Sequence, residues 1–164
     1  MRLDSADGAF VELRLLQYEF PARRPARQSG GDEDWDANWL VVRGDVGLGN
    51  GRQWTFTAPC LTTWEARSFS GWLRAVVDGK VAPVAATVDD EALEAFVEPV
   101  LALSLAALRD DKAAVRVHLS IEALPDWARD SDLYEFFVEL SLPLSVLRGA
   151  ADDWDDDLAR FPVR

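Results

Sequence analysis

Reactive side chains are scarce in this chain: one histidine, His118, one cysteine, Cys60, and two runs in which carboxylates surround a tryptophan. Those runs are Asp32-Glu33-Asp34-Trp35-Asp36 and Asp152-Asp153-Trp154-Asp155-Asp156-Asp157. His118 lies between Arg116 and Ser120 on what reads as the polar face of a strand, so it is expected at the surface. Without a second histidine, the common triads, zinc sites and histidine acid–base pairs lack their parts. Cys60 follows Pro59 and precedes a helix start, where a helix N-terminus can lower a thiol pKa and make it reactive. The competing expectation is a small buried residue at a turn. Asp32, Asp34 and Asp36 have the alternate spacing that opens a calcium loop, but its sixth position would be Ala37 instead of glycine and its twelfth Arg43 instead of glutamate. Paired carboxylates could also hold magnesium for phosphoryl chemistry, yet no glycine-rich phosphate loop or basic clamp accompanies them. No catalytic residue, metal site or cofactor is therefore expected.

The same carboxylates make a different kind of sense as a surface for a basic partner, because the formal net charge is -12. Nucleic acid and anionic membranes repel a surface of this sign, so neither is an expected partner. The competing explanation of the acidity is solubility alone. The expected partner-binding residues are Asp32, Glu33, Asp34, Trp35 and Asp36 in a loop, and Asp152, Asp153, Asp155 and Asp156 on a helix. Tryptophan ringed by charge is a frequent composition at interface hot spots. For Trp35 the alternative is a plug at the sheet edge. Trp154 has a different setting. At about 100° per residue, Asp152 and Asp156 fall opposite it, Asp153 and Asp155 lie to either side, and Trp154 points inward. Those aspartates lie in the second half of their helix, where the macrodipole disfavours negative charge by about 0.3–1 kcal/mol per group near the terminus. Asp156 with Arg160 at i+4 offsets part of that.

The elements that position these residues follow from periodicity. Val11, Leu13 and Leu15 alternate with Glu12, Arg14 and Gln17, which predicts a half-buried strand over about Phe10 to Glu19. Residues 21–34, rich in arginine, proline and glycine, have no period and read as a long loop. Trp39-Leu40-Val41-Val42 and Trp54-Thr55-Phe56-Thr57 read as a hairpin, with Asn50-Gly51 supplying the positive φ angles of its turn. Thr62-Thr63-Trp64-Glu65 fits a capping box, and Phe69, Trp72, Leu73, Val76 and Val77 recur at helical spacing up to Asp78-Gly79. A short acidic turn or helix is expected around Asp89 to Ala95. Three more strands are expected at Phe96 to Leu108, Ala114 to Ala123 and Leu133 to Leu142, and then a helix from Pro143 with Leu144, Leu147, Ala151, Trp154, Leu158 and Phe161 on one stripe.

The expected fold is α+β, one domain over residues 1–164, with a single antiparallel sheet of about six strands. A central helix (about 62–78) and a C-terminal helix (about 143–160) pack on it. No apolar run approaches the roughly 18 residues of a membrane span. Met1-Arg2-Leu3-Asp4 is followed by charge instead of an export signal's apolar run, and a lone cysteine forms no internal disulfide. The expected location is the cytoplasm.

The segment from Asp34 through Trp35-Asp36-Ala37-Asn38-Trp39-Leu40-Val41-Val42-Arg43-Gly44-Asp45 to Val46, then Trp54-Thr55-Phe56 and Pro59-Cys60-Leu61-Thr62-Thr63-Trp64-Glu65, resembles the WapI-type immunity proteins of bacterial contact-dependent toxin systems. Phe96-Val97-Glu98-Pro99 is similar to a second short block of that family. The match extends from the first strand through the Leu133–Leu142 strand, about four fifths of the chain. The resemblance implies a small, non-enzymatic α+β protein that binds and neutralises a cognate toxin, commonly a nuclease domain, in the producing cell's cytoplasm. It carries no catalytic residues to transfer. The alternatives are a small-ligand or enzymatic domain using the inner sheet face, with Cys60 or aspartates as reactive groups, and an oligomeric scaffold, although no feature indicates a homo-oligomer.

Overall fold

The stripe of Val11, Leu13 and Leu15 faces inward along the strand that its period predicts, in a computed structural model that describes residues 1–22, 34–85 and 92–164. Four antiparallel strands form the first sheet in the order β1-β2-β3-β4: β1 (Arg2–Asp4), β2 (Phe10–Tyr18), β3 (Trp39–Gly47) and β4 (Gln53–Thr62). Leu13, Gly44 and Phe56 are aligned across three strands. Gly44 is glycine for a steric reason, since a Cβ there would lie 2.0 Å from the Phe56 ring. The outward face carries a self-paired charge ladder. Arg2 bridges Asp4 and Glu12, and Arg43 pairs with Asp45 at 2.9 Å. Hydrogen bonds from Arg43 and then Thr55 hold the Asp45 carboxyl down to about 2.

The second sheet has the order β5-β6-β7-β8: β5 (Glu94–Ala95), β6 (Leu101–Arg109), β7 (Lys112–Leu119) and β8 (Phe137–Pro143). The architecture is α+β as expected, but eight strands in two four-stranded sheets replace the single sheet of about six. Two local facts account for the division. Strand β4 runs directly into a helix instead of a further hairpin. At the other edge, the main chain of Ser5 is used in its own turn, its N–H donating to Ala9 and its carbonyl accepting from Gly8. The Ser5 hydroxyl accepts from Ser141 N of β8 at 3.2 Å, and no backbone ladder joins the sheets there. Strand β1 went unread because three residues carry too little periodicity.

Helix α1 (Thr63–Val77) begins with the expected capping box: Glu65 N donates to Thr62 Oγ1, and Thr62 N donates to the Glu65 carboxylate at 2.8 Å. Such a cap contributes about 1 kcal/mol. Helix α2 (Leu144–Leu158) lies against α1. Trp154 is fully buried, as its place on the stripe requires; its ring lies 5.1 Å from Phe69, and Nε1 donates to the Ala66 carbonyl at 2.6 Å. That bond satisfies the one polar group an indole brings into a core. Side chains of both sheets and both helices form one contiguous apolar cluster.

Several boundaries differ from expectation. The hairpin between β3 and β4 places only Gly51 at positive φ. Gly51 N donates to Leu48 O and Leu48 N to Arg52 O, a longer turn in which a single left-handed residue suffices. The strand expected to run to Ala123 stops at Leu119, because Ile121 takes φ +54° and opens a 3-10 turn, Ile121–Ala123. The strand expected from Leu133 begins at Phe137, after a turn with Tyr134 at φ +61°. The strand expected from Phe96 begins at Leu101. The acidic segment around Asp89 lies partly outside the described residues, and its described end is β5.

Candidate functional site

Asn38 organises the segment that carries Trp35. Its side chain is fully buried and makes four hydrogen bonds: Nδ2 donates to Asp34 O at 3.0 Å and to Arg164 O at 2.9 Å, while Oδ1 accepts from Thr63 Oγ1 and Arg164 N. These bonds hold the 3-10 turn Trp35–Asn38 in place before β3. Ala37 and Asn38 are inside, so Trp35 and Asp36 are outside. Trp35 is 55% exposed and leans on Trp64, the second residue of α1, with ring centroids 5.0 Å apart. The Trp35 ring is therefore backed by a second ring and open to solvent, not buried against the sheet edge. Asp34 is half-buried and Asp36 exposed, while Asp32 and Glu33 lie outside the described residues.

Beside this turn lies a cleft of about 330 Å³. Four carboxylates from separate parts of the chain line it: Glu19, Asp36, Glu98 and Glu122. Phe20, Trp39, Pro59 and Val100 supply its apolar lining. Local bonding explains the convergence. Glu19 N donates to Trp39 O and continues the β2–β3 pairing past its end. The Glu65 carboxylate that completes the helix cap also accepts from Val97 N at 2.7 Å, tying the Val97-Glu98 segment to the start of α1. Ser120 N donates to Val100 O, so the turn bearing Ile121 and Glu122 leaves β7 beside that segment. Beneath lies Cys60, fully buried on β4. Burial first, and then the carboxylates of Glu65, Glu122 and Glu98, raise its thiol pKa far above the ordinary value. Cys60 is thus a small buried residue, as one expectation had it, but within strand β4 instead of at a turn.

The aspartates of α2 are arranged differently. Asp152 and Asp156 face outward opposite Trp154, as helix geometry requires. Arg74 of α1 bridges Asp152 and Asp155, each at 2.7 Å, and Ser70 Oγ donates to Asp155 at 2.6 Å. Asp153 and Asp156 remain exposed, without such bonds. The expected pairing of Asp156 with Arg160 does not form. Arg160 instead bonds Asp157 and the Leu15 carbonyl, and Asp157 accepts from Leu15 N at 3.2 Å, joining α2 to β2. None of these aspartates lines the cleft.

His118 corrects an expectation. It is fully buried, not on the surface, because the second sheet is covered on both faces around it. Nδ1 lies 2.7 Å from the Tyr134 carbonyl, which can only accept, so Nδ1 carries the proton and Nε2 accepts from the Ser104 hydroxyl at 2.8 Å. Burial lowers its pKa; the Tyr134 bond opposes this in part, and the neighbouring Arg116 adds a smaller lowering. Arg116 is buried too, paired with Glu139 and bonded to Val84 O. The alternation of Arg116, His118 and Ser120 reads as a solvated face. The contrary signal is small residues across the ladder, Ala102 beside His118 and Ser104 beside Arg116.

Glu19, Glu98 and Glu122 were not among the expected site residues. Each stands alone in sequence at the end of a predicted element, and no local pattern distinguishes it from a solvated glutamate. Among the described residues no group of three histidine, cysteine or carboxylate side chains could hold a metal ion, and no helix is long and apolar enough to cross a membrane.

The family model described as "Immunity protein WapI-like family" matches residues 2–162. No curated protein and no solved structure gives a significant match.

Proposed function

Since this chain belongs to the WapI-like immunity protein family, we propose that it binds and neutralises a cognate bacterial toxin domain by direct, non-enzymatic protein contact, with a basic nuclease as the toxin. The reading's main support is an exposed aromatic ring, Trp35, beside a cleft lined by four carboxylates, of which Glu19, Glu98 and Glu122 form no ion pair with a described residue. A nuclease must present a basic surface to grip phosphates, and a surface of opposite sign accelerates its capture and shields that cleft. The contact surfaces in this reading are the acidic segment from Asp32 through Glu33, Asp34 and Trp35 to Asp36, and the outward face of α2 with Asp152, Asp153, Asp155 and Asp156. Arg74 already offsets part of the charge of the second surface.

An enzymatic or small-ligand role on the inner sheet faces has less support. Core side chains fill those faces, and the only histidine and cysteine are both fully buried. The test is calorimetric titration of the protein with the purified, catalytically inactivated toxin domain encoded beside its gene, together with rescue of cells expressing the active toxin. Tight binding is expected, with an association rate that falls at least about tenfold from low to high salt, as electrostatic steering requires. No binding and no rescue would refute the proposal.

A further inference from the structure

We infer that the acid-lined cleft beside Trp35 is the anchor point for the toxin and that its occupant is an arginine side chain projecting from that protein. The inference rests on the immunity reading above and names the site within it. Three observations carry it.

The first concerns charge. Part of the negative charge elsewhere is paired within the molecule: Glu12 and Asp45 on arginines of the outer sheet face, Asp152 and Asp155 on Arg74, Asp157 on Arg160. Glu19, Glu98 and Glu122 form no ion pair with any described residue. Among the described residues no cation takes up their charge, which is open to a partner's cation.

The second concerns the rim. Single exposed apolar side chains are ordinary, but contiguous ones mark interaction sites. Four of the large exposed apolar residues are direct sequence neighbours of the four cleft carboxylates: Phe20 beside Glu19, Trp35 beside Asp36, Val97 beside Glu98 and Ile121 beside Glu122, at 42, 55, 66 and 49% exposure. An apolar rim around a charged pocket excludes water once a partner is seated, which strengthens the ion pair inside. Ile121 also keeps a left-handed backbone, unusual for a β-branched residue, immediately before Glu122 of the cleft lining.

The third concerns shape and chemistry. The lining mixes carboxylates with the aromatic residues Trp39 and Phe20 in about 330 Å³. A guanidinium satisfies both at once, because it is planar, stacks on aromatic rings and offers forked donors to carboxylates. An ammonium is a compact, strongly hydrated charge and uses the aromatic lining less well.

The experiment compares two double charge reversals that change net charge equally, Glu98→Lys/Glu122→Lys in the cleft and Asp153→Lys/Asp156→Lys on α2. All four positions are exposed, and thermal melting checks that each variant folds. Binding to the inactivated toxin domain encoded beside the gene is measured at physiological salt. The cleft variant is expected to weaken binding by about 100-fold or more, mainly through faster dissociation, and the helix variant by less than about fivefold, through slower association. One Arg→Lys replacement in the toxin domain should reproduce part of the loss and add little in combination with the cleft variant. Unaltered binding by the cleft variant, or equal losses for the two variants, would overturn the inference and leave the immunity reading standing. Failure of the unaltered protein to bind would overturn both.

Discussion

Asn38→Ala offers a demanding test of how the site is held. The side chain it removes is fully buried and satisfies four groups: Asp34 O, Arg164 O, Arg164 N and Thr63 Oγ1. Asp34 O keeps a bond from Ala37 N at 3.1 Å, and the Arg164 groups lie where water can replace the lost partner. Thr63 Oγ1 is buried and loses its acceptor. One stranded buried group costs about 1–3 kcal/mol and each re-solvated bond about 0.5 kcal/mol or more, so the sum is roughly 2–4 kcal/mol. For a domain of this size that lowers Tm by roughly 4–16 °C. Urea unfolding followed by circular dichroism measures it. Asn38→Asp separates the bonds from the volume, since it keeps the Oδ1 acceptor but turns a carboxylate oxygen toward two main-chain oxygens. Its destabilisation at pH 7 should match or exceed that of the alanine variant and shrink on acidification, because a protonated carboxyl regains one donor. The tryptophan emission of both variants should also shift as the Trp35 turn loosens against Trp64. A loss under about 1 kcal/mol for alanine, or no pH dependence for aspartate, would refute the claim that Asn38 holds this turn.

Two further outcomes follow from buried groups. The folded pKa of His118 lies below its ordinary 6.5, so between those values the unfolded chain binds a proton that the folded chain refuses. Its contribution to stability is therefore complete above about pH 6.5 and declines as pH falls toward the folded value. Denaturant titrations between pH 7.5 and 5.5 should show a steeper decline for the unaltered protein than for His118→Gln; parallel slopes would show that His118 does not titrate differently on folding. Cys60 is fully buried with a raised thiol pKa, so a disulfide reagent at pH 8 should label it at least about 100-fold more slowly in the native protein than in denaturant. Rapid native labelling would place the thiol at the surface.

How much could be read without coordinates depended on the distance over which each signal acts. The capping box spans Thr62 to Glu65, and the helix it starts, expected over about 62–78, is Thr63–Val77. The inward turn of Trp154 and the outward placement of Asp152 and Asp156 follow from one stripe on one helix. The strand pattern of β2 held until Leu16, where a bulge shifts the register and leaves that leucine outside. Where a prediction depended on what covers a face, it failed: His118 reads as surface because its strand alternates, and only the packing over the second sheet buries it.

The sequence by itself determined the local elements, the net charge, the solitary state of Cys60 and His118, and the resemblance to an immunity family that the family match bears out. Each of these needs only residues within a turn or two of one another, or a sum over the chain. Only the tertiary structure decided that the strands divide into two sheets, that Arg74 takes up part of the helix charge, and that Glu19, Asp36, Glu98 and Glu122 surround one cleft. Those four carboxylates are spread over about a hundred residues of chain. What brings them together is the β2–β3 pairing, the Glu65 bond to Val97 and the departure of the chain from β7 at Ile121, long-range contacts that no local period encodes.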